Sequence, residues 1–355
     1  MTKVTAYTLC LALLLLVSSC KKEETNLVVD DEKYHLAVPN NMPPWVDDVD
    51  NPLTKSGVAL GRLLFYDKRL SGNNQLSCAS CHQQQLAFSD GVALNDTGVS
   101  KQQLHRHTPT IFNLLWANSG LFWDGGSTNL ESQAFGPLTS SDEMAQNLHE
   151  LEAELKAVPK YRELFEKAFN NGITSANVVK ALAQFQRTLI SAGSRYDKFK
   201  RNEGITLSEM ELQGLKLVEE KCKSCHQGEL FTDNKFHNNG IDISFSDDVE
   251  GIYQGRFRVT FNPQDLGAFK TPTLRNIMLT APYMHDGRFK TIDEVLGHYS
   301  SGIKPSATVD KQLFQNNGTL GIPLTTTEKV AIKAFLNTLT DQELINNKTV
   351  SDPNG

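Results

Sequence analysis

A chain of 355 residues with 35 Lys and Arg against 41 Asp and Glu, net charge −6 at pH 7, is mildly acidic and long enough for two compact domains, and nucleic acid is excluded as its partner. Such a surface suits docking to a small electron carrier with a basic face, although the balance is also ordinary for a soluble protein. Six cysteines exclude a disulfide framework, because Cys10 and Cys20 lie at the N-terminus and the other four fall inside two short motifs.

Residues 1–19 hold Lys3, an apolar run from Leu9 to Val17 and the small pair Ser18 and Ser19 before Cys20, the pattern of a secretory signal too short to span a bilayer. The end of this run, Val17-Ser18-Ser19-Cys20, has the form of a bacterial lipoprotein box, which would leave Cys20 lipidated as the new N-terminus. Cleavage by the ordinary signal peptidase is the alternative. Without this segment, 34 basic residues face 41 acidic ones, a net charge of −7. Residues 20–45 are polar, with Lys21-Lys22-Glu23-Glu24 followed by Pro39, Pro43 and Pro44, and read as a tether from membrane to body.

Cys78-Ala79-Ser80-Cys81-His82 is the first of two Cys-x-x-Cys-His motifs, and Cys222-Lys223-Ser224-Cys225-His226 is the second. On one helical turn, positions i, i+3 and i+4 share a face, so two thiols can bond the vinyl groups of a porphyrin while the following imidazole reaches its iron. Each motif therefore reads as a covalent c-type haem site, and export suits this, since bacteria attach such haems outside the cytoplasm. The alternatives are a zinc knuckle, which needs further thiol or imidazole partners at tight spacing, and a redox dithiol, which has no need of the histidine.

The stretches after the motifs repeat. Leu86-Ala87-Phe88-Ser89-Asp90 corresponds to Leu230-Phe231-Thr232-Asp233, and Thr108-Pro109-Thr110-Ile111-Phe112-Asn113 to Thr271-Pro272-Thr273-Leu274-Arg275-Asn276. Trp123-Asp124-Gly125 then corresponds to His285-Asp286-Gly287, and Leu130-Glu131 to Ile292-Asp293. The chain reads as a duplicated haem domain.

Helix signals run through both halves. Residues 143–169 favour helix with a break at Pro159. Thr174 or Ser175 caps a helix with Val178, Val179, Leu182, Phe185 and Leu189 on one face. Ser208 with Glu211 opens another toward Cys222, and Thr325 to Thr327 start a last one with Val330, Phe335, Leu336 and Leu339. The segments 82–112 and 226–272 are rich in Gly, Asn and Asp and read as loops. No convincing run of alternating strands is present. The expected fold is all-α: two tandem cytochrome-c-like haem domains with long loops, 46–200 and 201–345, with the boundary near 193–206.

The segments Leu60-Gly61-Arg62-Leu63-Leu64-Phe65-Tyr66-Asp67, Phe122-Trp123-Asp124-Gly125, Pro272-Thr273-Leu274-Arg275-Asn276 and Pro282-Tyr283-Met284-His285-Asp286-Gly287, in this order, resemble the bacterial di-haem cytochrome c peroxidases and the related di-haem oxygenase that matures a tryptophan tryptophylquinone cofactor. The likeness spans nearly the whole chain beyond the signal. It implies that peroxide reacts at the N-terminal haem and that the C-terminal haem is a six-coordinate electron relay, with His82 and His226 as proximal ligands. It places the catalytic carboxylate at Glu143, its companion amide at Gln133, and an electron-transfer tryptophan between the haems at Trp123. On the residues alone, Glu143 is equally a first-turn charge on a helix, Gln133 a loop amide and Trp123 core, with Glu131 the nearest rival to Glu143.

Two departures from the family pattern matter. The loop histidine that caps the peroxidatic iron in many members aligns with Gly98 and Val99, which implies an open iron unless His105 or His107 substitutes. The relay methionine aligns with Tyr299, as in the maturation oxygenase, with His298 adjacent and Met284 upstream; methionine raises a haem potential, whereas tyrosinate or imidazole lowers it. The resemblance also implies a calcium ion on the carbonyls of Thr280 and Pro282 plus an asparagine side chain, a position occupied by His107, a poor ligand for a hard cation.

These readings imply a di-haem peroxidase that reduces hydrogen peroxide to water with electrons from a small exported donor, a cytochrome c or cupredoxin, in the periplasm. The alternatives are a protein-modifying di-haem oxygenase and a non-catalytic di-haem carrier. Two haems per chain should survive denaturation in the pyridine haemochrome assay, and Cys222→Ala with Cys225→Ala should leave one; two haems after that change would refute the second attachment site.

Overall fold

The structure, a computed structural model, describes residues 31–355, so the expected signal and Cys20 lie outside the described residues. Helix α1 (Lys55–Tyr66) starts where the Thr54 side chain accepts the Gly57 N–H, and it buries Val58, Leu60, Gly61, Leu64 and Phe65. That face packs on α5 (Ser175–Arg187), capped by Thr174. The crossing requires glycine at 61, since a Cβ there would overlap the Ala181 carbonyl oxygen and press on Phe185.

Between them lie α2 (Leu130–Thr139), α3 (Leu148–Ala157) and α4 (Pro159–Ala168), with Pro159 in the first turn of α4, where its missing N–H costs nothing. Leu60, Leu64, Phe65, Phe88, Leu151, Phe165, Val178 and Phe185 form one apolar core with their neighbours.

The second half repeats this crossing. Helix α6 (Arg195–Lys200) leads to α7 (Glu209–Lys221), whose capping box is Ser208 and Glu211. Two short turns, α8 (Asp248–Gly251) and α9 (Phe257–Thr260), precede α10 (Ile292–Gly297). Helix α11 (Thr326–Thr338), boxed by Thr325 and Glu328, lies across α7 at Gly214, where a Cβ would overlap the Ala331 carbonyl oxygen and press on Phe335. Leu217, Val218, Phe231, Leu274, Phe335 and Leu336 belong to this second core.

Among the described residues the one sheet is the antiparallel pair β1 (Phe236–His237) and β2 (Phe269–Lys270), two residues each, so the fold is helical with long loops.

Three segments differ from expectation. Residues 33–44 of the expected tether lie along the body: Tyr34 N–H donates to Leu53 O at 2.9 Å, Met42 is buried, and Asn41 donates to Asp197 at 2.8 Å. The chain end belongs in part with the first half, because Leu344 and Val350 join its core after the short α12 (Gln342–Asn346), and the Arg62 guanidinium donates to Ser351 O and Lys348 O at 2.7 Å. Residues 141–147 are not helical: a turn holds Ser141 to Met144, and Asn147 caps α3.

Asp197 and Arg275 form an ion pair at zero exposure with both N–O distances at 2.8 Å, tying the junction between the halves to the segment after the second haem motif. Gly61→Ala and Gly214→Ala should each lower unfolding free energy in urea by roughly 1–3 kcal/mol through forced separation of the helices. Gly297→Ala, in a helix with open space around it, should not; equal effects from all three would refute the close-crossing account.

Candidate functional site

In both halves the Cys-x-x-Cys-His segment is a single tight turn. His82 N–H donates to Cys78 O and His226 N–H to Cys222 O, each at 2.9 Å, so the thiols and imidazole of each motif share one side. His82 Nδ1–H donates to the Phe88 carbonyl at 2.9 Å and His226 Nδ1–H to the Phe231 carbonyl at 3.1 Å. Phe88 and Phe231 both adopt left-handed backbone (φ 60° and 50°), which turns these carbonyls inward. Burial lowers the pKa of both imidazoles against the pull of the nearby carbonyls, which favours the neutral ring a metal ligand requires.

Burial pushes the thiols the other way, Cys78 to about 12, Cys81 to about 11 and Cys222 to about 11. A redox dithiol needs a depressed pKa, and these groups suit thioether bonds instead. Among the described residues no group of three or more His, Cys, Asp or Glu side chains could hold a metal ion, so a zinc knuckle finds no further ligands. Cys222, Cys225 and His226 line one large, mostly apolar cavity, which continues past Trp123 to Gln133. These residues fit two covalently held haems.

Residues 55–204 match the family model described as di-haem cytochrome c peroxidase. The methylamine utilization protein MauG of Methylorubrum extorquens is 36% identical over 295 residues, 81% of this chain and 79% of its own. The cytochrome c551 peroxidase of Nitrosomonas europaea is 35% identical over 239 residues, 67% of this chain and 70% of its own. The chain belongs to the di-haem cytochrome c peroxidase family. A solved structure described as a MauG-like protein associated with microbial copper homeostasis superposes with a TM-score of 0.82 at 35% identity, covering 91% of this chain and all of that one. Membership of a di-haem family, with two attachment motifs in the chain, gives two haem c groups.

Glu143 and Gln133 are placed differently from the plain readings of the sequence. Glu143 precedes α3 in the 141–144 turn, so it is not a first-turn helix charge, and Gln133 sits on α2 with its side chain at the cavity wall, not in a loop. Burial raises the Glu143 carboxyl above the usual range against a bond from Ser140, and its charge helps push up the Cys81 thiol. Gly98 lies against this turn: Val99 N–H donates to Glu143 O at 2.8 Å, and a Cβ at 98 would overlap the Asp142 carbonyl oxygen. The rival Glu131 is engaged elsewhere, paired with Arg187 at 2.7 and 3.1 Å and accepting from Asn51 at 2.5 Å.

The two histidines near this loop are also engaged. The half-buried His105 ring meets the Tyr253 hydroxyl at 3.0 Å, and buried His107 directs Nδ1 at the Val92 carbonyl, 2.7 Å away. Trp123 Nε1–H donates to His107 O at 2.8 Å, and the Trp123 carbonyl accepts from Lys270 N–H at 2.8 Å.

Around the second motif, Tyr299 and Met284 both line the cavity, while His298 does not. The Tyr299 hydroxyl is pushed up to about 12 by burial, with the two motif thiols close enough to contribute. His298 is tied by Nε2 to the Asn239 carbonyl at 3.0 Å and packs on Phe289. The Met284 sulfur is 3.3 Å from the Asn239 amide nitrogen. Thr280 and Pro282 border the same cavity, but the imidazole of His107, bonded to Val92, offers no oxygen donor, so the side chains do not fit the three-ligand calcium site the resemblance implies.

Sequence reasoning missed His237, which bonds Asp233 and Asp310; the aspartate in Phe231-Thr232-Asp233 was the available signal.

Because folded Glu143 keeps its proton to higher pH than the unfolded chain does, its contribution to stability is present at low pH and is lost as pH rises above the ordinary glutamate value of about 4.5. Glu143→Gln removes this loss. Its unfolding free energy relative to wild type should therefore increase between pH 4 and pH 7 in urea titrations, and a difference independent of pH would refute the burial of this carboxyl.

Proposed function

We propose that this protein is a di-haem cytochrome c peroxidase that reduces hydrogen peroxide to water with two electrons from a small exported donor, a cytochrome c or cupredoxin. The observation that carries this reading is Glu143: a half-buried carboxyl whose pKa desolvation raises, close enough to act on the Cys81 thiol, with no ion pair to it among the described residues. Family membership and the peroxidases among its relatives support it.

His82 and His226 would hold a haem at each motif, and these groups would supply peroxide reduction at the first and electron relay at the second. The chain provides the rest. His82 and His226 are the proximal ligands, held in one tautomer by the Phe88 and Phe231 carbonyls. Glu143 takes the proton from the near peroxide oxygen and returns it to the far one, so that water leaves. The Gln133 amide orients the peroxide from α2. Trp123, bonded at Nε1 and at its carbonyl, stands between the two sites as the electron path. Gly98 and Val99 have no ligating side chain, and the His105 and His107 rings are bonded to Tyr253 and Val92, so the loop would supply no ligand to the first haem. The repeated helix crossings support two cytochrome-c-like units within 46–200 and 201–345, with residues 1–19 as the export signal, Cys20 as the lipid anchor and the periplasm as the compartment.

A second reading within the family rests on Tyr299. Its place in the cavity wall, and the similarity to proteins named MauG, favour an oxygenase that withdraws electrons from side chains of a partner protein. A non-catalytic carrier has no use for Glu143.

Glu143→Gln should lower peroxidase turnover by roughly 10²–10⁴-fold with both haem spectra intact. Glu131→Gln should lose stability through Arg187 and keep its turnover per folded molecule; the reverse pattern would move the catalytic role to Glu131. Tyr299→Phe should alter the low-spin EPR signal and His298→Ala should leave it, with no sulfur charge-transfer band in the oxidised protein. A band abolished by Met284→Leu would overturn Tyr299 as the relay ligand.

A further inference from the structure

His237 stands between two carboxylates. Nδ1 is 2.5 Å from Asp310 Oδ2 and Nε2 is 2.9 Å from Asp233 Oδ2. Both acceptors lack protons, so both ring nitrogens must carry one, and the ring is an imidazolium. The bond to Asp310 contributes most to this, with Asp233 adding to it against burial, and the His237 pKa rises to about 11. Asp310 is held below its usual range chiefly by His237, and Asp233 likewise although burial opposes it. The other titratable groups nearby are Cys225, His226 and Lys270, the last pushed down to about 8 by burial.

The three residues connect both sides of the second site. Asp233 N–H donates to Cys225 O at 2.8 Å, within the attachment motif. Asp310 lies next to Val309 and near Leu313, which pack in one apolar cluster with Tyr299. His237 and Asp310 both line the cavity. The corresponding position in the first half has no such cation: Asp90 is bonded by Asn95 at 2.8 Å and Thr108 at 2.5 Å, and His107 Nδ1 comes no nearer than 3.8 Å.

We propose that the Asp233–His237–Asp310 clamp sets the electrostatic potential at the second haem, with His237 as a charge-setting residue that keeps this site distinct from the first. The inference rests on the reading of the second motif as a haem site. An oxidised haem carries one more positive charge than a reduced one, so added negative charge beside it favours oxidation and lowers its potential.

Spectroelectrochemical titration of the intact di-haem protein at pH 6 tests this, with the first haem as internal reference. His237→Gln leaves two carboxylates facing the site and should lower the second potential. Asp310→Asn leaves a neutral pair and should raise it. His237→Arg, which restores the cation, should lie close to wild type. A purely structural clamp would move His237→Gln and Asp310→Asn in the same direction, and that result, or unmoved potentials, would overturn the proposal. Wild-type protein with a single haem in the haemochrome assay would overturn the underlying reading as well.

Discussion

The two halves of this protein are joined at the centre by backbone and not by side-chain packing alone. Trp123 Nε1–H reaches the His107 carbonyl, and the His107 amide reaches the His285 carbonyl at 2.8 Å. Trp123 in turn accepts from the Lys270 amide. This run crosses between the halves twice within a few residues, and each Asp-Gly loop packs against the opposite half. A Cβ at Gly125 would strike Arg256 and Phe236 of the second half, and one at Gly287 would strike Ala93 of the first. Both glycines have positive φ, so conformation and space together demand glycine there. Asp124 adds charge to the same junction by collecting Arg106 at 2.8 Å and Arg258 at 3.2 Å. Because backbone bonds fix this register, Trp123 has little freedom to leave the cavity wall.

The parts of this arrangement that were legible in sequence are those written in side chains. Thr174, Ser208 and Thr325 start helices because their hydroxyls accept the third N–H of each, and the glutamates at 211 and 328 close the box. The repeat was legible because each half needs the same pieces around its motif, including the left-handed asparagines Asn113 and Asn276 that open matching turns.

What was illegible is held by backbone. Glu143-Met144-Ala145-Gln146 has helical propensity, yet Met144 N–H bonds Pro137 O, Gln146 N–H bonds Leu138 O and Ala145 adopts left-handed backbone, so tertiary contacts override propensity. Residues 33–44 look like a tether in composition because their docking runs through Leu53 O, Trp116 Nε1 and a few polar side chains. The C-terminal strap gives as little away, since Arg62, Tyr66 and Gln84 bond its carbonyls, which any sequence supplies.

Duplication therefore fixes the frame and leaves a few polar residues to distinguish the sites. Each half crosses two helices at a glycine and aims a phenylalanine carbonyl at the motif histidine, so the imidazoles are prepared alike. Beyond that frame the halves diverge in charge. Beside the first motif Glu143 is half-buried with a raised pKa, and the flanking aspartate is satisfied by neutral groups. Beside the second, the flanking aspartate holds an imidazolium, and a tyrosine whose proton burial retains faces the thiols. The first environment holds a carboxyl with a raised pKa; in the second, two aspartates and a histidine are held in bonds to one another. The proposed division between proton chemistry at the first site and electron passage at the second rests on this difference in charge.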